Sequence, residues 1–380
     1  MYKSIWFKLH LILGFSAGFI LFIVAFTGAM LSFEKQILNL INQETYKVIV
    51  QEQGKLSAKE LLEKFQEQKP QSKINSITIS SSSNDSYMIN VAGVGETARK
   101  GINYYINPYS AEILPEVIGQ KFFKTVENIH RRLLLDDFGK QVVALSVICL
   151  LILMFSGIYI YYPRLKKSFS QSLKLNFQSK GRFFLSNIHS VIGIWVIPFY
   201  LLASLTGLYW SYDWFSNSLH QITGVEKTKK HMHHSKEENK AQNEVKTLQT
   251  VEKKSFDDVS IVIDTFNTLI ENRYSTATLK IEPKGTIYSF TYLSNSHHDH
   301  SKNSLEIDIK TKEITKHDKF EDKTLVQRLM GSILLLHTGE YFGFIGKLGM
   351  FLASLMMPLF AITGLMLYLK RNKKKKLIKE

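Results

Sequence analysis

One cysteine, Cys149, is all the thiol that 380 residues contain. A lone thiol makes no intrachain disulfide, and it offers no Cys-rich iron–sulfur motif. Also missing are a Gly-x-Gly-x-x-Gly turn, a Walker A loop and a His-Glu-x-x-His pair, so nucleotide binding and zinc-protease chemistry have no support. Charge is absent from four long runs: Leu11–Phe33, Gln141–Pro163, Phe183–Tyr212 and Leu348–Leu369. About 20 apolar residues, rising 1.5 Å each, cross a hydrocarbon layer of roughly 30 Å. Each run therefore predicts a membrane span, and an even number of spans puts both termini on one side.

Acid is almost absent from that side. The N-terminus carries Lys3 and Lys8, the loop after the second run carries Arg164, Lys166, Lys167, Lys174, Lys180 and Arg182, and the tail carries Lys370, Arg371, Lys373–Lys376 and Lys379. Against these 15 basic residues stands one acid, Glu380, so these segments hold +14 of the +15 formal charge. The positive-inside rule makes them cytoplasmic. The basic balance needs no nucleic-acid partner; its counterpart is the lipid bilayer with its anionic head groups. The first run is too long for the apolar core of a cleaved signal peptide and reads as a retained anchor.

What is present is written twice. "LHLILGFSAGFILFIVAFTGAM" resembles "IHSVIGIWVIPFYLLASLTGLY": a His is followed four residues on by Gly (Gly14, Gly193) and 17 residues on by Thr-Gly (Thr27-Gly28, Thr206-Gly207). "IHRRLLLDDFGKQ" and "LHTGEYFGFIGKL" form a second matched pair, with Gly-Lys nine and ten residues after the His and Ser156-Gly157 or Thr363-Gly364 at 26 and 27. The segments between spans also correspond. A Ser57–Glu60 capping box opens a helix over 57–68, followed by β-prone "INSITIS", "SYMINVA" and "INYYI". In the second segment a helical run from Ser255 to about Asn272 precedes "TATLKIE", "TIYSFTYL" and "SLEIDI", and the last strands share a turn, "INPYSAEI" against "IDIKTKEI".

The expected fold is membrane α-helical: a four-helix transmembrane bundle from a duplicated two-helix repeat, with two outer-face α+β domains. Its divisions are a first transmembrane helix (1–33), outer α+β domain 1 (34–128), a His-bearing segment with the second helix (129–163), a basic cytoplasmic loop (164–182), the third helix (183–212), outer α+β domain 2 with a His-rich insertion (213–328), a His-bearing segment with the fourth helix (329–369), and a basic tail (370–380). Residues 216–254, polar and rich in Lys, Glu and Gln, read as a mobile insertion.

Four histidines occupy the matched positions. His10 and His189 open the odd spans and belong near the cytoplasmic face; His130 and His337 precede the even spans and belong near the outer face. Two facing imidazoles suit a haem iron, which has two free axial positions. Gly14 and Gly193, one helical turn after His10 and His189, would leave room for the ring. The plainer readings are close helix packing for the Gly and Thr-Gly positions and solvation for an isolated interfacial His. Four histidines at matched spacing, paired by depth, favour ligation. His130 and His337 lie about ten residues before their runs and need a re-entrant or amphipathic helix to return them.

These His-x3-Gly…Thr-Gly and "LHTG…GK…TG" patterns, with paired outer segments ending in the "IDIKTKEI" turn, resemble the PepSY-associated transmembrane family across nearly the whole chain. That family includes bacterial inner-membrane ferric-siderophore reductases with two b-type haems. The resemblance implies His10, His189, His130 and His337 as axial ligands of two haem b groups, a periplasmic ferric siderophore or ferric chelate as acceptor, and a multi-pass inner-membrane protein with both termini cytoplasmic. The chain lacks the fused flavin domain of longer members, so a cytoplasmic flavoprotein or a membrane quinol is the expected donor. Arg131 and Arg132 are candidates for haem propionates, and Asp136 and Asp137 read as a polar turn. His231, His233 and His234, with His297, His298 and His300, form two imidazole-rich tracts able to bind surface metal. The competing functions are a haem-free transporter or sensor and a structural interaction protein.

Overall fold

The structure is a computed structural model and describes residues 2–98, 100–227, 256–281, 285–294 and 302–376. In chain order its helices and strands are α1 (Tyr2–Leu31), α2 (Glu34–Ile41), α3 (Gln43–Tyr46), α4 (Ala58–Gln68), β1 (Ile74–Ser80), β2 (Tyr87–Val91), β3 (Ile102–Ile106), α5 (Gln120–Arg132), α6 (Asp136–Lys167), α7 (Phe169–Ser172), α8 (Gly181–Ser211), α9 (Asp213–Thr223), α10 (Asp257–Leu269), β4 (Tyr274–Lys280), β5 (Ile287–Ser294), β6 (Lys302–Asp308), β7 (Glu313–Asp318), α11 (Leu325–Gly331), α12 (Ile333–Thr338) and α13 (Gly343–Lys376). The chain divides into two compact units: Met1–Gln36, Gly119–Val225 and Leu329–Glu380 in one, Ile37–Ile118 and Glu226–Arg328 in the other.

The first unit is helical. Among the described residues four stretches are long and apolar enough to cross a membrane: Ser4–Leu31, Asp136–Lys167, Gly181–Ser211 and Glu340–Arg371. A helix satisfies its own backbone polar groups, which lipid cannot do, so these runs have no other spanning form open to them. Asp136 and Asp137 in the first turn of α6, and Arg164, Lys166 and Lys167 in its last, complement the helix dipole. α1 packs against α6 and α13, and α8 packs against the same two. The bundle is therefore four-cornered, with α1 and α8 on one diagonal and α6 and α13 on the other. Its buried middle is apolar: Ala17, Leu21, Met154, Val196, Tyr200, Ala353 and Met357.

The second unit is built on one antiparallel sheet in the order β3-β2-β1-β4-β5-β6-β7. Here the structure differs from the expected pair of α+β domains. β1 pairs directly with β4 from Ser76↔Lys280 to Ser80↔Thr276, so the two segments share a single sheet. The physical reason is the edge: built apart, each set of strands would leave β1 or β4 with unpaired backbone groups. Joining them removes two edges and lets α4 and α10 share one core. Leu61, Leu62 and Phe65 of α4, Val262 and Phe266 of α10, and Ile77, Ile89, Leu279, Phe290, Leu305 and Ile307 of the strands are buried together. Phe266 stacks on Phe290 with ring centres 4.2 Å apart.

The Ser57–Glu60 capping box forms as expected. The two shared turns are built alike: the side chains of Asn107 and Asp308 accept the N–H two residues on, and Ala111 (φ 63°) and Lys312 (φ 60°) return the chain in the left-handed region. Two expectations need correction. "EITKHD", whose first two residues close the "IDIKTKEI" turn, goes on as strand β7. The front of the polar insertion, to Thr223, is helix α9.

Candidate functional site

All four matched histidines lie in the helical unit. His10 and His189 sit in α1 and α8, and His130 and His337 sit in the last turns of α5 and α12. Each of these short helices ends in a tight reversal that returns its histidine to the bundle. After α5 the chain turns through Leu133, Leu134 and Asp136, all at positive φ, and Gly139 packs on the Arg132 carbonyl, where any Cβ would collide. After α12 it turns through Gly339, and Gly346 packs on the Gly339 carbonyl. The Gly-Lys spacing is thus explained: its glycine is the floor of the re-entrant turn.

Each histidine is held by a hydroxyl from a neighbouring spanning helix. His10 Nδ1 lies 2.8 Å from Ser156 Oγ, His189 Nδ1 2.8 Å from Thr363 Oγ1, and His337 Nδ1 2.8 Å from Thr206 Oγ1. His130 Nδ1 is 2.7 Å from the Val24 carbonyl and 3.3 Å from Thr27 Oγ1. The four hydroxyl residues are buried, and each donates its one proton to its own helix: Ser156 to Leu153 O, Thr27 to Ile23 O, Thr206 to Leu202 O and Thr363 to Leu359 O. The hydroxyl oxygens are therefore acceptors toward the imidazoles, as the Val24 carbonyl must be. This network assigns the proton to Nδ1 at all four rings and leaves a lone pair on every Nε2.

The rings meet in pairs. His10 and His189 have centroids 6.3 Å apart with planes at 74°; His130 and His337 have centroids 6.2 Å apart at 73°. The first pair comes from the diagonal helices α1 and α8, so it spans the bundle axis. Thr27 and Thr206, which hold the second pair, follow His10 and His189 by 17 residues, about 25 Å of helix. The apolar middle of the bundle lies between the two layers.

The chain matches the PepSY-associated TM region over residues 7–371. It belongs to that family. It is accordingly a multi-pass membrane protein, in keeping with its four apolar helices. No curated protein matches the chain.

The structure also places the other sequence candidates of this PepSY-associated chain. Gly14 faces Leu153 and Gly193 faces Phe360, each with room for ordinary contact at 3.9 and 3.8 Å. Arg131 pairs with Glu127 at 2.8 Å, and Arg132 reaches Asp137 at 4.0 Å. His231, His233, His234, His297, His298 and His300 lie outside the described residues. Among the described residues no three His, Cys, Asp or Glu side chains gather as a metal cluster. The sequence reading missed the role of Ser156, Thr27, Thr206 and Thr363, whose signal was the hydroxyl-Gly spacing. It also missed Trp210, whose ring stands 5.4 Å from that of His337. Lys347 is a further case: it is buried, bonded to Glu340 at 2.9 Å and Gln36 at 3.0 Å, and lies over the Phe33 ring.

Proposed function

We propose that this PepSY-associated protein holds two b-type haems, one between His10 and His189 and one between His130 and His337, and moves electrons across the membrane through them. The observation that carries this reading is the pairing of Nδ1-protonated imidazoles. With the proton on Nδ1, each ring of a pair keeps an Nε2 lone pair free to bind a Lewis acid. Metal–imidazole bonds of roughly 2.0–2.1 Å, with the ring nitrogen about 1.1–1.2 Å from its centre, would put collinear imidazole centroids roughly 6.2–6.6 Å apart; the two pairs stand at 6.3 and 6.2 Å, at the short end of that range. A metal offered only two protein ligands takes its remaining positions from elsewhere, and a porphyrin supplies four.

When bound, each haem supplies a reversible one-electron Fe(III)/Fe(II) couple. The chain's own residues do the rest. The hydroxyls orient the imidazoles and fix their tautomer, a second-layer task that metal-bound histidines require. Ala17, Leu21, Val196, Tyr200, Ala353 and Met357 keep water out of the middle, and layers about 25 Å apart divide a crossing of roughly 30 Å. The basic ends of the spans support an inner-membrane orientation with both termini cytoplasmic, so that His10 and His189 form the inner layer. The matched spacing supports an origin by duplication of a two-helix unit. The acceptor in this reading is a periplasmic ferric siderophore or other ferric chelate, whose reduction to Fe(II) weakens its oxygen-donor ligation. The donor is a cytoplasmic flavoprotein or a membrane quinol. Anaerobic reduction of the purified protein, followed by mixing with ferric chelates and Cu(II), tests the direction: rapid re-oxidation by ferric chelates supports it, and indifference to every ferric complex contradicts it.

A further inference from the structure

The four histidine seats share one chemistry and differ in fit. In each, a hydroxyl residue and the glycine after it receive a histidine from another helix: Ser156-Gly157 takes His10, Thr27-Gly28 takes His130, Thr363-Gly364 takes His189 and Thr206-Gly207 takes His337. The hydroxyl holds Nδ1, and the bare glycine admits the adjoining Cε1 edge. A Cβ added at Gly28 would lie 3.0 Å from Cε1 of His130, and one at Gly157 would lie 3.4 Å from Cε1 of His10. Added at Gly207 or Gly364 it would lie 3.7 or 3.9 Å from His337 or His189, which is ordinary contact. The second-half rings have a different wall: Trp210 stands nearly perpendicular to His337 with ring centres 5.4 Å apart, and Phe360 nearly perpendicular to His189 with centres 5.3 Å apart.

Resting on the haem reading above, we propose that the Ser/Thr-Gly pairs are positioning elements that set the rotation of each axial imidazole. At each layer the first-half histidine has the closer glycine: His130 is wedged at Gly28, and His10 stands at the threshold of ordinary contact at Gly157. The second-half histidine, His189 or His337, is steadied by a perpendicular aromatic ring and has slack on its glycine side. The matched seats account for the matched crossing of the ring planes, 74° and 73°. Crossed axial planes leave the two π-type d orbitals of low-spin ferric iron close in energy, which produces a strongly anisotropic EPR signal. Turning one ring toward its partner's plane separates those orbitals and narrows the signal. Ring rotation is thus readable without any turnover.

The test compares Gly28→Ala, Gly157→Ala, Gly207→Ala and Gly364→Ala in the full, haem-loaded chain, by low-temperature EPR and haem content. Gly28→Ala should narrow or abolish the outer signal alone, and Gly157→Ala should shift the inner one alone and by less. Gly207→Ala and Gly364→Ala should leave both signals in place. The untouched layer reports that each variant has folded. Thr206→Val should alter the outer signal, with Thr206→Ser restoring it, because the serine keeps the acceptor oxygen. A coloured wild-type protein in which the four glycine variants behave alike, or in which Thr206→Val changes nothing, overturns the seating proposal alone. A colourless wild-type protein overturns the haem reading and the seating proposal with it.

Discussion

His10 and His189 stand on diagonally opposed helices with ring centres 6.3 Å apart, and each is fixed at Nδ1 by a hydroxyl from a third or fourth helix. Every spanning helix therefore contributes to this one layer: α1 and α8 give the rings, α6 and α13 give Ser156 and Thr363. The His130–His337 layer reverses the division, with Thr27 and Thr206 on α1 and α8 holding rings that lead into α6 and α13. Neither half of the chain completes a site by itself.

The re-entrant turns carry a sharp expectation. A Cβ at Gly139 meets the Arg132 carbonyl, and one at Gly346 meets the Gly339 carbonyl. Backbone cannot swing aside as a side chain can, so Gly139→Ala and Gly346→Ala should each displace the histidine-bearing helix and lose the outer haem while the inner one remains. Haem quantification with EPR assigned by layer checks this, and retention of both haems would refute the role given to the two glycines.

Lys347 is a buried cation held by Glu340 and Gln36. Glu340 is partly exposed and also lies 3.7 Å from Lys35, so losing Lys347 leaves it less stranded than a fully buried carboxylate. Lys347→Ala should accordingly lower the thermal midpoint in detergent, and adding Glu340→Gln should recover part of the loss. Equal midpoints for the wild type and Lys347→Ala would show that the pair contributes nothing.

The sheet unit has a titration of its own. Burial, and after it the Lys319 cation, holds the His317 imidazole below its ordinary value of 6.5. Its Nε2 is 2.7 Å from the Tyr292 hydroxyl. With the folded pKa depressed, the unfolded chain binds the proton first as pH falls through about 6.5, so stability declines with acidification from there to the folded pKa. His317→Gln should flatten the pH dependence of the sheet's unfolding midpoint over that window. An unchanged slope would exclude His317 as its source.

Much of the fold is legible in the residues themselves. Spans are forced by length and apolarity, and β1, β3 and the capping box fall where alternation and Ser57–Glu60 place them. The union of two segments into one sheet was not legible, because edge pairing between β1 and β4 depends on strands about 200 residues apart. Strand β7, "EITKHD", is an edge strand mostly exposed on both faces, so it lacks the alternation that marks a half-buried strand. In the site, the histidines were found by repetition. The Ser/Thr-Gly pairs show in the sequence only as a matched spacing, with helix packing the plainer reading of the Thr-Gly positions, because what they hold is a ring from another helix, and that contact is written nowhere in their own span.

The central claim is two bis-histidine haems per chain, and it is tested most directly by the absorption spectrum and haem content of protein purified from haem-replete cells. The account predicts low-spin b-type bands with two haems per chain, one lost in His10→Ala and the other in His130→Ala. A colourless protein, or pigment that survives both substitutions intact, would contradict it.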